Sequence, residues 1–249
     1  LKIIMVIILK KVLFTGARSG LASATIEMIK DRYFIYVTVH TLKELKIVKE
    51  KYKKYNNIRC MKLDITNDED LSKISDLDID ILVSNSATCY GGSISEIDIN
   101  KLRNNFEVNV FSNFRLIQII LKKMLKKNQG KIIIMSSLAG IMPISFLDSY
   151  SATKASIIKL TVSLKKELKL IKSDIKICMI EPGFYKTGFN QFMFLNKYDQ
   201  NNSYFKDELN IIKLKENIII NFIEKRDLNS ITKKIVKAID LENPKFIYR

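Results

Sequence analysis

The 249-residue sequence predicts an α/β fold: a doubly wound, mainly parallel sheet of six to seven strands flanked by helices, in one domain over 1–249. Three observations predict it. Short apolar runs bounded by turn signals recur along the chain, helical patterns fill the gaps, and all but one of the eight glycines follow the end of a run. Strands alternating with helices need crossover connections, and crossovers make neighbouring strands parallel.

The runs are Lys11–Phe14, Phe34–Val39, Arg59–Leu63, Asp80–Val83, Lys131–Met135 and Lys176–Ile180, and Phe246–Tyr248 begins a seventh. The chain stops there, which suggests a truncated C-terminus. Helical character follows the first run from Ala22 to Ile29, and the fourth and fifth helices are expected near Leu102–Lys126 and Ser149–Leu170. Leu1 to Leu9 is apolar but too short for a bilayer, which takes about 20 residues. It reads as a lead into the first strand, with the true start left open because the chain opens on Leu with Met5 nearby. No repeat or linker divides the chain.

Apolar content of 47% and charged content of 27% are those of a globular protein with a full core. Cys60, Cys89 and Cys178 are odd in number and dispersed, so neither a disulfide framework nor a zinc site is expected, and a reducing cytoplasm is the expected location. With His40 as its single histidine the chain cannot build a multi-histidine metal centre. The net charge of +16 comes from lysines spread through Ile- and Asn-rich sequence without a basic-aromatic module. It predicts no nucleic-acid partner, though it favours anionic ligands at long range.

Two stretches carry chemistry. Val12-Leu-Phe-Thr15-Gly16-Ala-Arg18-Ser19-Gly20-Leu21-Ala22 runs from a strand through a glycine turn into a helix, the way a backbone approaches a pyrophosphate and turns helix N–H groups toward it. Tyr150-Ser-Ala-Thr-Lys154 puts a phenol and an ammonium on one helix face, about one turn (~5.4 Å) apart. A cation there is expected to favour the phenolate and bring a poor acid–base group nearer working pH.

Together, Thr-Gly-x-x-x-Gly-x-Ala and Tyr-x-x-x-Lys resemble the classical short-chain dehydrogenase/reductase family, a Rossmann fold whose members transfer hydride between a nicotinamide coenzyme and a carbonyl or alcohol carbon. Ala22 stands where the family's last glycine is usual. The resemblance covers about Lys11 to Arg249, and Asp80-Ile-Leu-Val, Gly91-Gly92-Ser and Glu181-Pro-Gly-Phe resemble the branch acting on retinoids and steroids. It implies that Tyr150 gives or takes the proton, Lys154 tunes it and grips the ribose, and Ser137, 13 residues before Tyr150, holds the substrate oxygen. Asn109, in Phe106-Glu-Val-Asn-Val-Phe111, is implied in a water relay from the lysine to solvent; a satisfied structural amide is the other reading.

For the coenzyme the resemblance implies contacts from Thr15, Gly16, Arg18, Ser19, Gly20 and Leu21. Asp64 and Ile65 would serve the adenine, Asn85 the floor of the adenosine side, and Pro182, Gly183 and Thr187 the nicotinamide. Ser84-Asn85-Ser86-Ala87 departs from the family's Asn-Asn-Ala-Gly. Tyr36-Val-Thr-Val-His40-Thr41 offers no carboxylate before Glu44 to a ribose 2′-OH, while His40, Arg18 and Lys43 could meet a 2′-phosphate, so NADP(H) is favoured over NAD(H). The implied partners are a small carbonyl or alcohol and a second copy of the chain, as homodimer or homotetramer, with a substrate loop at about 189–221. A 3-oxoacyl-carrier-protein reductase and a non-catalytic dinucleotide sensor are the alternatives.

Overall fold

The computed structural model describes residues 9–190, 193, 203–208, 211–214, 218 and 224–249. Seven strands form one sheet in the order β3-β2-β1-β4-β5-β6-β7, and every neighbouring pair is parallel. They are β1 (Lys11–Phe14), β2 (Phe34–Val39), β3 (Ile58–Lys62), β4 (Ile81–Ser84), β5 (Lys131–Met135), β6 (Lys176–Ile180) and β7 (Ile247–Tyr248). The predicted runs fall on these strands, with β3 and β4 displaced by one residue. The order reverses between β1 and β4, and the crevice beyond their carboxyl ends is where such sheets bind ligands.

Alternate residues of each central strand feed opposite faces. Val12 and Phe14 of β1 enter one core and Leu13 the other; in β5, Ile133 and Met135 oppose Ile132 and Ile134. The first core is covered by α1 (Gly20–Ile29), α2 (Leu42–Tyr52) and the C-terminal helix α7 (Asn229–Asp240). The second lies under α3 (Asp68–Ser75), α5 (Asn113–Lys127) and α6 (Asp148–Leu170). Both faces are therefore closed, which is why the strands read as continuous apolar runs. Ala22 is fully buried on α1, in keeping with its place in the sequence motif.

The expected fourth helix is a composite. α4 (Ile99–Phe106) passes through a π-helical stretch, Glu107–Ser112, into α5. A π turn leaves carbonyls without their α-helical donors. The side chain of Asn113 donates from Nδ2 to Val108 O at 2.8 Å and to Asn109 O at 3.3 Å, which compensates the wide turn from within. Hydrophobic periodicity alone carries no sign of this. The apolar lead-in at Leu1–Leu9 falls, except for its last residue, outside the described residues, as does most of the expected substrate loop.

Candidate active site

The glycine loop between β1 and α1 lies at the switch point. Gly16 has φ +59°, and a Cβ on it would meet Asn85 Nδ2 and Ser86 Cα at 3.2 Å, so glycine serves both conformation and space. Thr15 is fully buried. Its hydroxyl accepts the N–H groups of Asn85 (2.8 Å) and Ser86 (3.0 Å), while Asn85 Nδ2 donates to Thr15 O at 3.0 Å and Gly16 O at 3.1 Å. Thr15 and Asn85 thus bind the loop to the end of β4, and Thr15 is a scaffold beneath the cleft. Ser19 caps α1, accepting Ala22 N–H at 3.3 Å, and Gly16, Ser19 and Leu21 face the cleft. The first-turn N–H groups of a helix lack intrahelical acceptors, so this end fits an anionic pyrophosphate. Gly20 N–H meets the carbonyl of Thr187 at 3.3 Å, drawing the loop after β6 over the same end.

At the ends of β1 and β2 the outcome differs from the sequence expectation. Glu44 turns back as part of the α2 capping box. One oxygen accepts from His40 N–H (3.1 Å) and Thr41 N–H (3.3 Å); the other pairs with Arg18 at 3.0 Å. His40 Nε2 lies 3.2 Å from Asp64. A carboxylate therefore stands by the end of β2 after all, supplied by the next helix. Asp64 also binds the Thr66 N–H and hydroxyl, whereas the Ile65 side chain is buried in the second core, away from the cleft.

Tyr150, Lys154 and Ser137 line one cleft together with Pro182, Gly183 and Thr187. The 3₁₀ turn Leu138–Gly140 packs so closely on α6 that a Cβ at Gly140 would lie 2.7 Å from the Lys154 backbone. Ser137 sits between the turn and the tyrosine. Its hydroxyl caps this turn by accepting Ala139 N–H at 3.1 Å, and it is within hydrogen-bonding reach of Tyr150. Lys154 Nζ donates to Met135 O at 3.0 Å and sits 5.5 Å from the centre of the Tyr150 ring.

The electrostatics correct one expectation. Burial pushes the Tyr150 phenol well above its ordinary value, and the Ser137 hydrogen bond offsets only part of the rise. Burial also pushes the Lys154 ammonium down to about 8. The ammonium lies over the ring and is held by a carbonyl, and desolvation, with Cys89 adding to it, sets the direction of the phenol's shift.

Asn109 is in the π stretch and fully buried, outside the cleft lining. Its Oδ1 accepts Thr88 N–H at 2.8 Å; its Nδ2 donates to Thr88 O at 2.9 Å and Thr153 Oγ1 at 3.1 Å. The side chain is satisfied, as the structural reading expected. Ser84, where the family has asparagine, donates to Asn113 Oδ1 at 2.6 Å, so the helix supplies the amide that the strand lacks.

The cleft also has an apolar wall, of which Phe189 and Met193 fall in the expected substrate loop, while Ile144 and Leu147 were not singled out from the sequence. Ile144, Leu147, Phe189 and Met193 form it, with the Phe189 ring centre 5.8 Å from that of Tyr150. Ile144 and Leu147 come from the segment that leads into α6, and Phe189 and Met193 from helical residues after β6, four apart.

The short chain dehydrogenase family model matches residues 10–197. An uncharacterized oxidoreductase of Bacillus subtilis is 28% identical over 72% of this chain and 66% of its own length. The 3-ketodihydrosphingosine reductase of Bacteroides thetaiotaomicron is 26% identical over 94% of this chain and 85% of its own. Human retinol dehydrogenase 8 is 25% identical over 72% of this chain and 60% of its own. The chain thus spans under two thirds of two of these three relatives. A Burkholderia phymatum short chain dehydrogenase/reductase solved with NAD shares the fold at a TM-score of 0.80, with 18% identity and coverage of 96% and 88%. Among the described residues no helix is long and apolar enough to cross a membrane. The chain belongs to the short-chain dehydrogenase family.

Proposed function

We propose that the protein is an NAD(P)-dependent oxidoreductase that interconverts a lipophilic carbonyl and its alcohol, with Tyr150 as acid and base. The observation that carries this reading is the gathering of Tyr150, Lys154 and Ser137 on one cleft that continues to the N-terminus of α1. When bound, a nicotinamide coenzyme supplies or accepts the hydride. Gly16, Ser19 and Leu21 would hold its pyrophosphate, and Lys154 would grip a ribose hydroxyl. Ser137 holds the carbonyl oxygen while Tyr150 Oη delivers the proton to it, so negative charge never stands unpaired. With its side chain committed to Thr88 and Thr153, Asn109 would hold the segment after β4 against α6.

The wall of Ile144, Leu147, Phe189 and Met193 favours an apolar substrate, in line with the sphingoid and retinoid compounds in the names of two relatives. NADP(H) is favoured, with Arg18 meeting a 2′-phosphate in competition with its ion pair to Glu44. The three dispersed cysteines, without C-x-x-C spacing, suit a cytoplasmic location. Purified protein is assayed with NADPH and NADH against a long-chain 3-keto base, a steroid ketone, retinal and a 3-oxoacyl thioester. Turnover that Tyr150→Phe abolishes, with coenzyme binding retained, is the expected result. Full activity of that variant, or no turnover of any substrate, counts against the reading, and turnover of the thioester alone would favour acyl-carrier reduction.

A further inference from the structure

Three asparagines, Asn105, Asn109 and Asn113, follow one another at four-residue intervals through α4, the π stretch and α5. Each clamps an alternate residue of the extended segment after β4. Asn105 Oδ1 accepts Tyr90 N–H at 2.9 Å and its Nδ2 donates to Tyr90 O at 2.8 Å. Asn109 makes the same pair of bonds to Thr88, and Asn113 Nδ2 donates to Ser86 O at 3.0 Å. A carboxamide offers one acceptor and one donor edge, as a peptide does, so the ladder stands in for a neighbouring strand. The backbone N–H groups fix which end of the Asn105 and Asn109 amides is oxygen. The spacings agree as well: four helical residues rise ~6.0 Å and two extended residues ~6.6 Å.

The second donor hydrogens of Asn105 and Asn109 reach α6. Asn105 Nδ2 donates to Ser149 Oγ at 2.8 Å and Asn109 Nδ2 to Thr153 Oγ1 at 3.1 Å. Ser149 Oγ in turn donates to Tyr90 O at 2.9 Å, and Thr153 Oγ1 to Tyr150 O at 2.7 Å. All four side chains are buried. The residue after Ser149 is Tyr150, and the residue after Thr153 is Lys154. Two points one turn apart determine both the roll of a helix and its displacement along its axis.

We propose that Asn105, through Ser149, is a positioning residue that sets where Tyr150 and Lys154 stand in the cleft. This rests on the reading of Tyr150 and Lys154 as the proton-transfer pair. Slipping α6 against this grip would break bonds at both levels at once, and the next matching register lies a full turn away. The precision matters because proton transfer depends on sub-ångström placement, and a shift near 1 Å can cost about a hundredfold in rate.

The test uses the full chain and the fastest substrate of the panel above. Ser149→Ala removes the link to α6 and leaves the Asn105–Tyr90 pair in place; Asn105→Ala removes both. Ser149→Ala is expected to lower kcat about tenfold, to move the alkaline limb of the kcat–pH profile, and to leave the coenzyme Kd within about twofold. The double variant should show no further loss of kcat beyond Asn105→Ala. Unchanged kcat and pH profile in Ser149→Ala, with only a lower Tm, would reduce the ladder to packing and overturn the proposal. Asn105→Ala leaves buried groups unpaired; if it does not fold, Ser149→Ala alone decides. Tyr150→Phe separates the two claims. If it is inactive while Ser149→Ala is fully active, only the positioning role fails; if it is active, the acid–base reading itself fails.

Discussion

Glu44 and Arg18 form an ion pair of 3.0 Å across the ends of β1 and β2, although 26 residues separate them. Burial tends to raise the Glu44 carboxyl, but Arg18 and the amides of Thr41 and His40 together hold it below the ordinary range. It is ionised at neutral pH, so a coenzyme 2′-phosphate that seeks Arg18 must compete with it.

Glu44→Gln should therefore tighten NADPH binding about fivefold, or ~1 kcal/mol, the scale of an exposed ion pair, with NADH little changed. Glutamine keeps an acceptor for the His40 and Thr41 amides, so the helix cap survives. Arg18→Ala should weaken NADPH and narrow its advantage. Fluorescence titration of both coenzymes measures this. Weaker NADH with unaltered NADPH in Glu44→Gln would instead make Glu44 a ligand of the ribose 2′-OH, and a clear NADH preference in the unaltered protein would sink the NADP assignment.

Lys154 supports the second prediction. Its ammonium, pushed down to about 8 by burial, is mostly charged at pH 7 and mostly neutral at pH 9. The protonated form is the one that steadies a developing phenolate, so carbonyl reduction should fall as pH rises through about 8. Lys154→Ala should lose this limb, most of the rate and coenzyme affinity together. A rise in substrate KM alone would contradict the dual role.

A third prediction concerns stability. Lys131, buried at the start of β5, donates from Nζ to the carbonyls of Ala238 (2.9 Å), Ile239 (2.6 Å) and Leu241 (2.5 Å) and so caps the C-terminus of α7. Lys131→Met keeps the apolar stem and orphans those carbonyls. It should cost about 2–3 kcal/mol and lower Tm by about 5–10 °C, read by calorimetry. A Tm within 1–2 °C of the parent would mean that solvent replaces the cap.

Assembly is the fourth. On α6, Ile157 and Leu168 enter the core and Leu164 packs against it, while Leu160 is 42% exposed. Phe111 on the π stretch is 60% exposed, whereas Phe106 and Phe114 pack inward. These outward side chains fit a symmetric interface between copies, and light scattering should give a dimer or tetramer mass that Phe111→Glu lowers. A monomer mass for the unaltered protein at micromolar concentration would refute this.

What the sequence by itself determined is what short-range spacing encodes. Apolar runs located the strands because the central ones are buried on both faces. Glycine spacing located the turn onto α1, and the four-residue interval of Tyr150 and Lys154 put both on one face of α6. Relations between distant segments were decided only by the tertiary structure. The Asn105–Ser149 bond joins residues 44 apart and the Ser149–Tyr90 bond residues 59 apart, and no local pattern specifies such a partner. The sequence showed no carboxylate before Glu44, and only the fold brought Glu44 itself back to Arg18. The phenol of Tyr150 rises where the pair alone predicts a fall, because desolvation depends on what packs around a group rather than on its neighbours in the chain.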